Sequence, residues 1–368
     1  MLVTEISIII PTYRRPELFR AAIRSALAQR DLSLGVEIVV VDNDPARSAQ
    51  GACRDIAGDA AVPIHYVSEP RPGISHARNA GVAKSGGRHI AFLDDDEVAA
   101  PNWLSSLVAT MRQYEADIVV GPVRPRYPDG IRVPGCAKRY YERDAGLPTG
   151  HAVAWRGIGN ALLNRDRCFT TGTPFDPRLG LSGGEDSLLL ARLIEAGRRC
   201  VWCAEAVVEE VIPPERLEPA YLLRRAFRGG QTTAYLPSAL ARPRWGVVAR
   251  WMLIGAAQVS IFGPWGLALR LCGREGWLPA MCKAASGLGK VVWHPSLHIR
   301  NYQLDPPRRD DSGVAGQASI EAAMAPGPDA AGQHSRSAMV SGDPAENPGF
   351  GQLSAPVIET PAGLKDPL

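Results

Sequence analysis

The chain has 368 residues, enough for one large domain or two smaller ones with a sizeable core. Hydrophobic residues at 45% and charged residues at 21% are ordinary for a globular protein. A net charge of +3 is too mild for a nucleic-acid partner, which demands a concentrated basic face, and seven scattered cysteines fit a reducing compartment.

The first 125 residues alternate strand and helix patterns, which argues for a sheet built from βαβ units. Residues 6–10 read as a strand, and Glu5 before them with Pro11 after them argues against a cleavable signal peptide. Pro16 opens a helix with Phe19, Ala22, Ile23, Ala26 and Leu27 on one face. Residues 37–41 form the next strand, which ends in Asp42, Asn43 and Asp44. A strand over 64–67 and a helix around 75–83 follow. Residues 90–93, a short apolar run suited to a sheet covered on both faces, lead into Asp94, Asp95, Asp96 and Glu97. Pro101 with Leu104, Leu107, Val108 and Met111 predicts a helix just downstream, and a strand over 118–123 closes the set.

Four adjacent carboxylates repel one another, and two readings of them stand on the residues alone. At the carboxyl end of a strand, where open α/β sheets place their ligands, they suit a divalent cation such as Mg2+ or Mn2+ that in turn grips a diphosphate. Before a helix they also serve as an N-terminal cap.

Residues 125–155, rich in Pro, Gly and charge, read as a long irregular loop. In the second unit, roughly 156–236, glycines turn the chain and Glu185 and Asp186 open a helix. Its apolar face is Leu189, Leu190, Leu193 and Ile194, and Gly197 stops it. Cys200 and Cys203 lack the further ligands of a zinc site and read as packed core thiols. His65, His89 and His151 form no metal spacing, and His76 lies within the helix at 75–83. Residues 251–269 carry no charge, are bracketed by Arg250 and Arg270, and are long enough to cross a bilayer. Gly263 and Pro264 interrupt that run, so it also reads as a re-entrant or in-plane helix pair; a weaker apolar stretch with Lys283 and Lys290 follows at 277–293, and a buried core helix pair is the remaining reading. From about Asp305 the composition turns to Ala, Gly, Pro and Ser, which predicts a disordered tail.

Five segments occur in a telling order: SIIIPTYRRPE at 7–17, VVVDND at 39–44, GISHARNAG at 73–81, AFLDDDE at 91–97 and GGED at 183–186. Together they resemble the inverting, GT-A-fold family 2 glycosyltransferases that build bacterial polysaccharides. The resemblance covers residues 5–235. It implies an α/β fold with a Rossmann-like mixed sheet flanked by helices, over 1–236, with a nucleotide-sugar half (1–125) and an acceptor half (126–236). Apolar, membrane-associated helices over 237–302 and a tail over 303–368 would follow.

The resemblance also implies roles. Pro11, Thr12 and Tyr13 would meet the nucleotide base, and Asp42 would accept a hydrogen bond from it. Arg78 would lie near the donor phosphates or sugar. Asp94 and Asp96 match the outer positions of the family's D-x-D motif, with Asp96 the metal ligand for Mn2+ or Mg2+, Asp94 nearer the sugar, and Asp95 in the donor-binding set. Asp186 matches the catalytic base, and Glu185 would position the acceptor or orient that base. The family's metal-proximal histidine is missing, and Glu209 and Glu210 stand in its region. Arg224, Arg225 and Arg228 occupy a place where the family often binds phosphate, and a solvated or membrane-facing basic face explains them equally.

The chemistry agrees with those roles. A departing nucleoside diphosphate needs its charge stabilised, and an acceptor hydroxyl needs a carboxylate to take its proton. The expected partners are a nucleotide-diphosphate sugar, with UDP favoured, and a glycan or lipid-linked acceptor at the cytoplasmic face of the inner membrane. A dehalogenase-like phosphatase would want a threonine soon after its acidic pair, where Val98 and Ala99 stand, and a receiver domain would not explain the GGED helix. A sugar-phosphate nucleotidyltransferase and a non-catalytic sugar-nucleotide-binding scaffold remain as alternatives. The former lacks its glycine-rich signature near the first strand.

Overall fold

A computed structural model describes residues 4–30, 35–58, 60–154 and 157–299. The elements in chain order are β1 (Thr4–Thr12), α1 (Pro16–Leu27), β2 (Gly35–Asp42), α2 (Gln50–Ala57), β3 (Ile64–Ser68), α3 (Ile74–Lys84) and β4 (His89–Phe92). Then come β5 (Glu97–Ala99), α4 (Trp103–Gln113), β6 (Ile118–Val120), β7 (Val123–Arg126), α5 (Gly135–Tyr141), β8 (Ala161–Asn164) and α6 (Arg165–Cys168). The rest are α7 (Glu185–Glu195), β9 (Cys200–Trp202), β10 (Val208–Val211), α8 (Pro219–Ser238), α9 (Trp245–Leu271) and α10 (Trp277–Val291).

Seven strands form the main sheet in the order β3-β2-β1-β4-β8-β6-β9, with β8 antiparallel to both neighbours and the other pairs parallel. The chain winds one way from β1 through β2 to β3 and then returns to place β4 on the other side of β1. The switch point therefore lies between the carboxyl ends of β1 and β4, where an open α/β sheet leaves a crevice. A second sheet, β5-β10-β7, starts from the acidic strand end itself, since β5 begins at Glu97.

Ile6, Ile8 and Ile10 pack with α1 and α4 on one face, through Phe19, Ile23 and Trp103. Ile9, Val39, Val41 and Phe92 pack with Ala77, Phe175, Leu190 and Leu193 on the other. Alternate side chains of each strand thus enter different cores, which explains why these strands read as continuous apolar runs. Cys200 and Cys203 are free and buried among them.

Three expectations need correction. The strand expected over 118–123 is two strands of different sheets. They part at Gly121-Pro122, where Pro122 has no N–H for a ladder and Gly121 leaves no room for a Cβ against the Ala206 carbonyl. The loop expected over 125–155 contains the end of β7 and α5, whose Tyr141 is fully buried. Gly263 and Pro264 do not interrupt the apolar run: α9 is continuous for 27 residues, because packing against α10 outweighs their local propensity. The boundary expected at 236 falls in the last turn of α8, and the expected tail lies outside the described residues.

Asn160 ties the two sheets together. Its side-chain amide donates to the carbonyls of Pro122 (2.9 Å) and Ala206 (2.7 Å), and its oxygen accepts from the Trp103 indole (2.8 Å). Asn160→Ala orphans three buried polar groups, so unfolding by urea should show a loss of about 2–4 kcal/mol. A loss within the ordinary surface range, roughly 0.5 kcal/mol, would mean the amide is not the fastener described here.

Candidate active site

A cavity of about 240 Å³ opens at the switch point, walled by Pro11, Thr12 and Tyr13 from the end of β1 and by Asp94, Asp95 and Asp96 beyond β4. Arg78 of α3 and Ile74 close one side, and Arg143, Glu210, Arg216 and Arg225 the other. The first wall is made of residues that the resemblance singled out; Arg15, Arg143 and Arg216 were not singled out by the sequence.

The three aspartates face different partners. Asp95 accepts from the Thr12 hydroxyl (2.9 Å) and the Tyr13 backbone N–H (3.4 Å), so it braces the turn after β1. Burial pushes its carboxyl up to about 6, against the pull of Arg15. Asp96 accepts from Arg216 (3.0 Å) and Arg15 (3.2 Å). Although burial pushes the other way, these guanidinium groups together hold its carboxyl below the usual range. Asp94 is the most open, with its side chain 29% exposed, and it accepts from Arg78 at 3.0 Å.

Glu97 belongs to β5 rather than to an acidic turn. It is buried, pairs with Arg143 at 2.9 Å and accepts the Asp94 backbone N–H at 3.1 Å, while desolvation and Asp94 push its carboxyl up. Of the two glutamates in the histidine's region, only Glu210 reaches the cavity, where it meets Arg216 (3.2 Å) and Arg143 (3.3 Å). Glu209, its neighbour on the strand, points the other way and pairs with Arg126.

Asp42 lies beneath the loop after β2. It is fully buried, and its carboxylate accepts from the backbone N–H groups of Asp44 (3.0 Å) and Ala49 (2.9 Å) and from the Tyr66 hydroxyl (2.9 Å). Through these bonds it shapes the loop after β2. Its neighbour Asn43 braces the turn before α3 by donating to the carbonyls of Glu69 and Arg71 and accepting from the Gly73 N–H.

The GGED segment arrives from the far side. Gly183 and Gly184 both have positive φ, 83° and 94°, which ordinary residues rarely adopt, and they turn the chain so that α7 starts at Glu185. One face of α3 receives this segment: Ser75 donates to the Asp176 carbonyl, and Asn79 exchanges two hydrogen bonds with the Phe175 backbone. One turn away, Arg78 donates to Glu185 (2.5 Å), faces Asp186 (3.8 Å) and meets Asp94. Two carboxylate groups about ninety residues apart in sequence thus share one guanidinium. Glu185 is 3% exposed, and burial with Asp186 pushes its carboxyl up to about 8, against Arg78. The Asp186 side chain is 21% exposed, though it does not line the cavity itself.

Among the described residues no three His, Cys, Asp or Glu side chains form a ready metal cage. Mg2+ and Mn2+ at phosphates need less: one or two carboxylates plus oxygens from the substrate. Asp96 and Glu210, both facing the cavity and bridged by one Arg216 nitrogen, provide that hard-oxygen pair. The cavity lining sets four carboxylates, Asp94, Asp95, Asp96 and Glu210, among five arginines, Arg15, Arg78, Arg143, Arg216 and Arg225, so the fit to a divalent cation rests on its oxygen donors and not on an excess of negative charge.

The chain is similar to several known proteins. The glycosyl transferase family 2 model matches residues 7–165. The chain is 35% identical to the succinoglycan biosynthesis protein ExoM of Rhizobium meliloti (strain 1021) over 265 residues, 70% of this chain and 82% of that protein. It is 26% identical to glycosyltransferase AglE of Haloferax volcanii over 68% of this chain and 80% of that one. Among solved structures, the mannosyltransferase PcManGT of Pyrobaculum calidifontis, in complex with GDP-Man and Mn2+, matches with a TM-score of 0.52 and 20% identity, covering 78% of this chain and 87% of that one. At that identity the likeness is one of fold.

The state of Glu185 is open to measurement. Its folded carboxyl is raised from 4.5 to about 8, so the stability it contributes is full below pH 4.5 and is lost as the pH rises towards 8. Between those limits the melting temperature of Glu185→Gln should fall less steeply than that of the wild type. Parallel curves across that window would show that Glu185 is ionised throughout.

Proposed function

The chain belongs to glycosyltransferase family 2 and is a GT-A-fold glycosyltransferase; on that premise we propose that it is a metal-dependent, inverting enzyme with Asp186 as general base. The donor would be a nucleotide-diphosphate sugar, with UDP as the nucleotide, and the acceptor a glycan or lipid-linked glycan reached at the cytoplasmic face of the inner membrane. The observation that carries the reading is the shared guanidinium: Arg78 holds Asp94, on the donor wall, and Glu185 and Asp186, at the start of α7, around a single point.

In this mechanism the acceptor oxygen attacks the anomeric carbon as the bond from that carbon to the diphosphate oxygen breaks. Asp186 takes the hydroxyl proton, and the diphosphate leaves with the electron pair. Attack from the face opposite the leaving group inverts the centre, the geometry that inverting glycosidases share. Asp186 suits the task because it is partly open, whereas Glu185 is sealed against Arg78 and acts by holding that guanidinium in place. A Mn2+ or Mg2+ ion held by Asp96 with Glu210 would supply Lewis-acid stabilisation of the leaving diphosphate. Arg15, Arg78 and Arg216 supply the fork-shaped donors that bind phosphate oxygens well. Pro11, Thr12 and Tyr13 form the wall against which the nucleotide would lie.

The membrane part of the proposal rests on α9 and α10. Arg250 and Arg270 flank an uncharged run, which favours anionic headgroups on the cytoplasmic side and brings a lipid-borne acceptor within reach.

Titration of UDP-sugars with and without Mn2+, alongside a transfer assay, separates the roles. Asp96→Ala should lose metal-dependent donor affinity by about tenfold or more. Asp186→Asn should bind donor within roughly twofold of wild type yet lose transfer by about 10²–10⁴-fold. Wild-type transfer rates in both variants would sink the mechanism.

A further inference from the structure

The outermost layer of the molecule is a single helix with two unlike faces. One face of α9 is clamped onto α10 along most of its length. A Cβ on Gly255 would lie 2.5 Å from the Gly287 carbonyl oxygen, and one on Gly266 would lie 2.8 Å from the Met281 sulfur. Gln258 accepts from Lys290 at 2.9 Å, Lys283 sits over the Phe262 ring, and Arg270 sits over Trp277. The opposite face carries Trp245, Leu253, Ile261, Trp265, Leu267 and Leu271, which are 53–79% exposed. Only 11% of its most apolar window is buried, so a helix about 40 Å long presents an apolar stripe that the other described residues leave uncovered.

The layer beneath decides how such a helix can meet lipid. Leu278 and Cys282 of α10 enter a core with Tyr141, Leu222 and Ala226, and Gly289 lies against the Phe227 carbonyl of α8. Gln231 of α8 donates to the Val292 carbonyl just past the end of α10 (2.8 Å). From end to end, therefore, α10 is seated on α8, whose Arg225 lines the cavity, and α9 lies over α10. Passing α9 across a bilayer would drag Lys283, Lys290 and a face of the catalytic unit into hydrocarbon, which is costly for charges and for exposed backbone alike.

Charge names the occupant of the outer face. From Pro219 to Trp293 the only carboxylate is Glu275, against ten arginines and lysines, although the whole chain carries a net charge of only +3. Arg242, Arg244 and Arg250 stand exposed at one end of α9, and Arg270 and Arg274 at the other. An apolar stripe with cations and tryptophans at its ends complements the headgroup region of an anionic leaflet.

We propose that α9 lies in the plane of an anionic membrane surface, its Leu253–Ile261–Trp265 face sunk among the acyl chains, and does not cross the bilayer. The proposal rests on the membrane attachment put forward above and specifies its geometry: the catalytic unit and both ends of α9 stay on one side.

Two measurements on the full chain test it. In flotation with phosphatidylcholine vesicles, adding phosphatidylglycerol should strengthen binding about tenfold, and high salt should reverse that gain. Leu253→Glu with Ile261→Glu should cut binding by about tenfold or more while donor binding is unchanged. In sealed membrane vesicles, Cys272, exposed just past α9, and Ala241→Cys, just before it, should both react with an impermeant maleimide from the same side. Labelling from opposite sides would overturn in-plane docking and leave membrane attachment standing. No vesicle binding, with a wild-type dimer that the double glutamate variant turns into a monomer, would overturn both and assign the face to a second copy of the chain.

Discussion

The site depends on the burial of one guanidinium. Arg78 is 4% exposed, so its charge is tolerable only with carboxylates around it, and removing a partner from such a buried ion leaves an uncompensated charge. Asp94 and Asp186 face that charge from opposite directions, and Glu185 accepts a hydrogen bond from it. The donor wall and the α7 start are therefore held at one separation. Their positions follow from where α3 puts Arg78. That helix is pinned in turn: Gly81 lies so close to the sheet that a Cβ there would be 2.6 Å from Ile9, and Gly73, at φ 121°, lets the backbone at Gly180 close over its first turn.

Around that point the charges are arranged as a field rather than as isolated pairs. Burial keeps Asp95, Glu97 and Glu185 towards the neutral form, while Arg216 and Arg15 keep Asp96 ionised. Neighbouring carboxylates of nearly identical sequence context thus take different jobs: Asp95 braces a turn, Glu97 anchors a strand, and Asp96 and Glu210 keep hard oxygens on the cavity. Fixed donors and charges of this kind stabilise a developing diphosphate without reorganising at the moment of reaction.

The helical layer is joined to the same machinery. α8 contributes Arg225 to the cavity wall and, on its other side, seats α10 through Ala226 and Gly230. The exposed apolar face of α9 is thereby only two helix layers from the site.

Much of the fold was legible in the sequence. The order of the strands along the chain, the helices after Pro16 and Glu185, and the place of Pro11, Thr12, Tyr13 and the three aspartates follow from apolar runs ending in polar residues, because local periodicity encodes which side of an element is covered. Arg78 was legible by family resemblance; that it also gathers Glu185 and Asp186 was not. The long-range matters were settled by tertiary structure alone. Arg15, Arg143 and Arg216 were not singled out, Glu209 and Glu210 read as equivalents, and Asp42 was a base-contacting acid by resemblance alone. Pairing of β10 with β5 and β7 sends Glu210 inward and Glu209 outward, and the loop after β2 folds back over Asp42. A sequence determines which residues need a partner; which partner arrives depends on strand pairings and helix docking between segments far apart in the chain, and no local pattern records them.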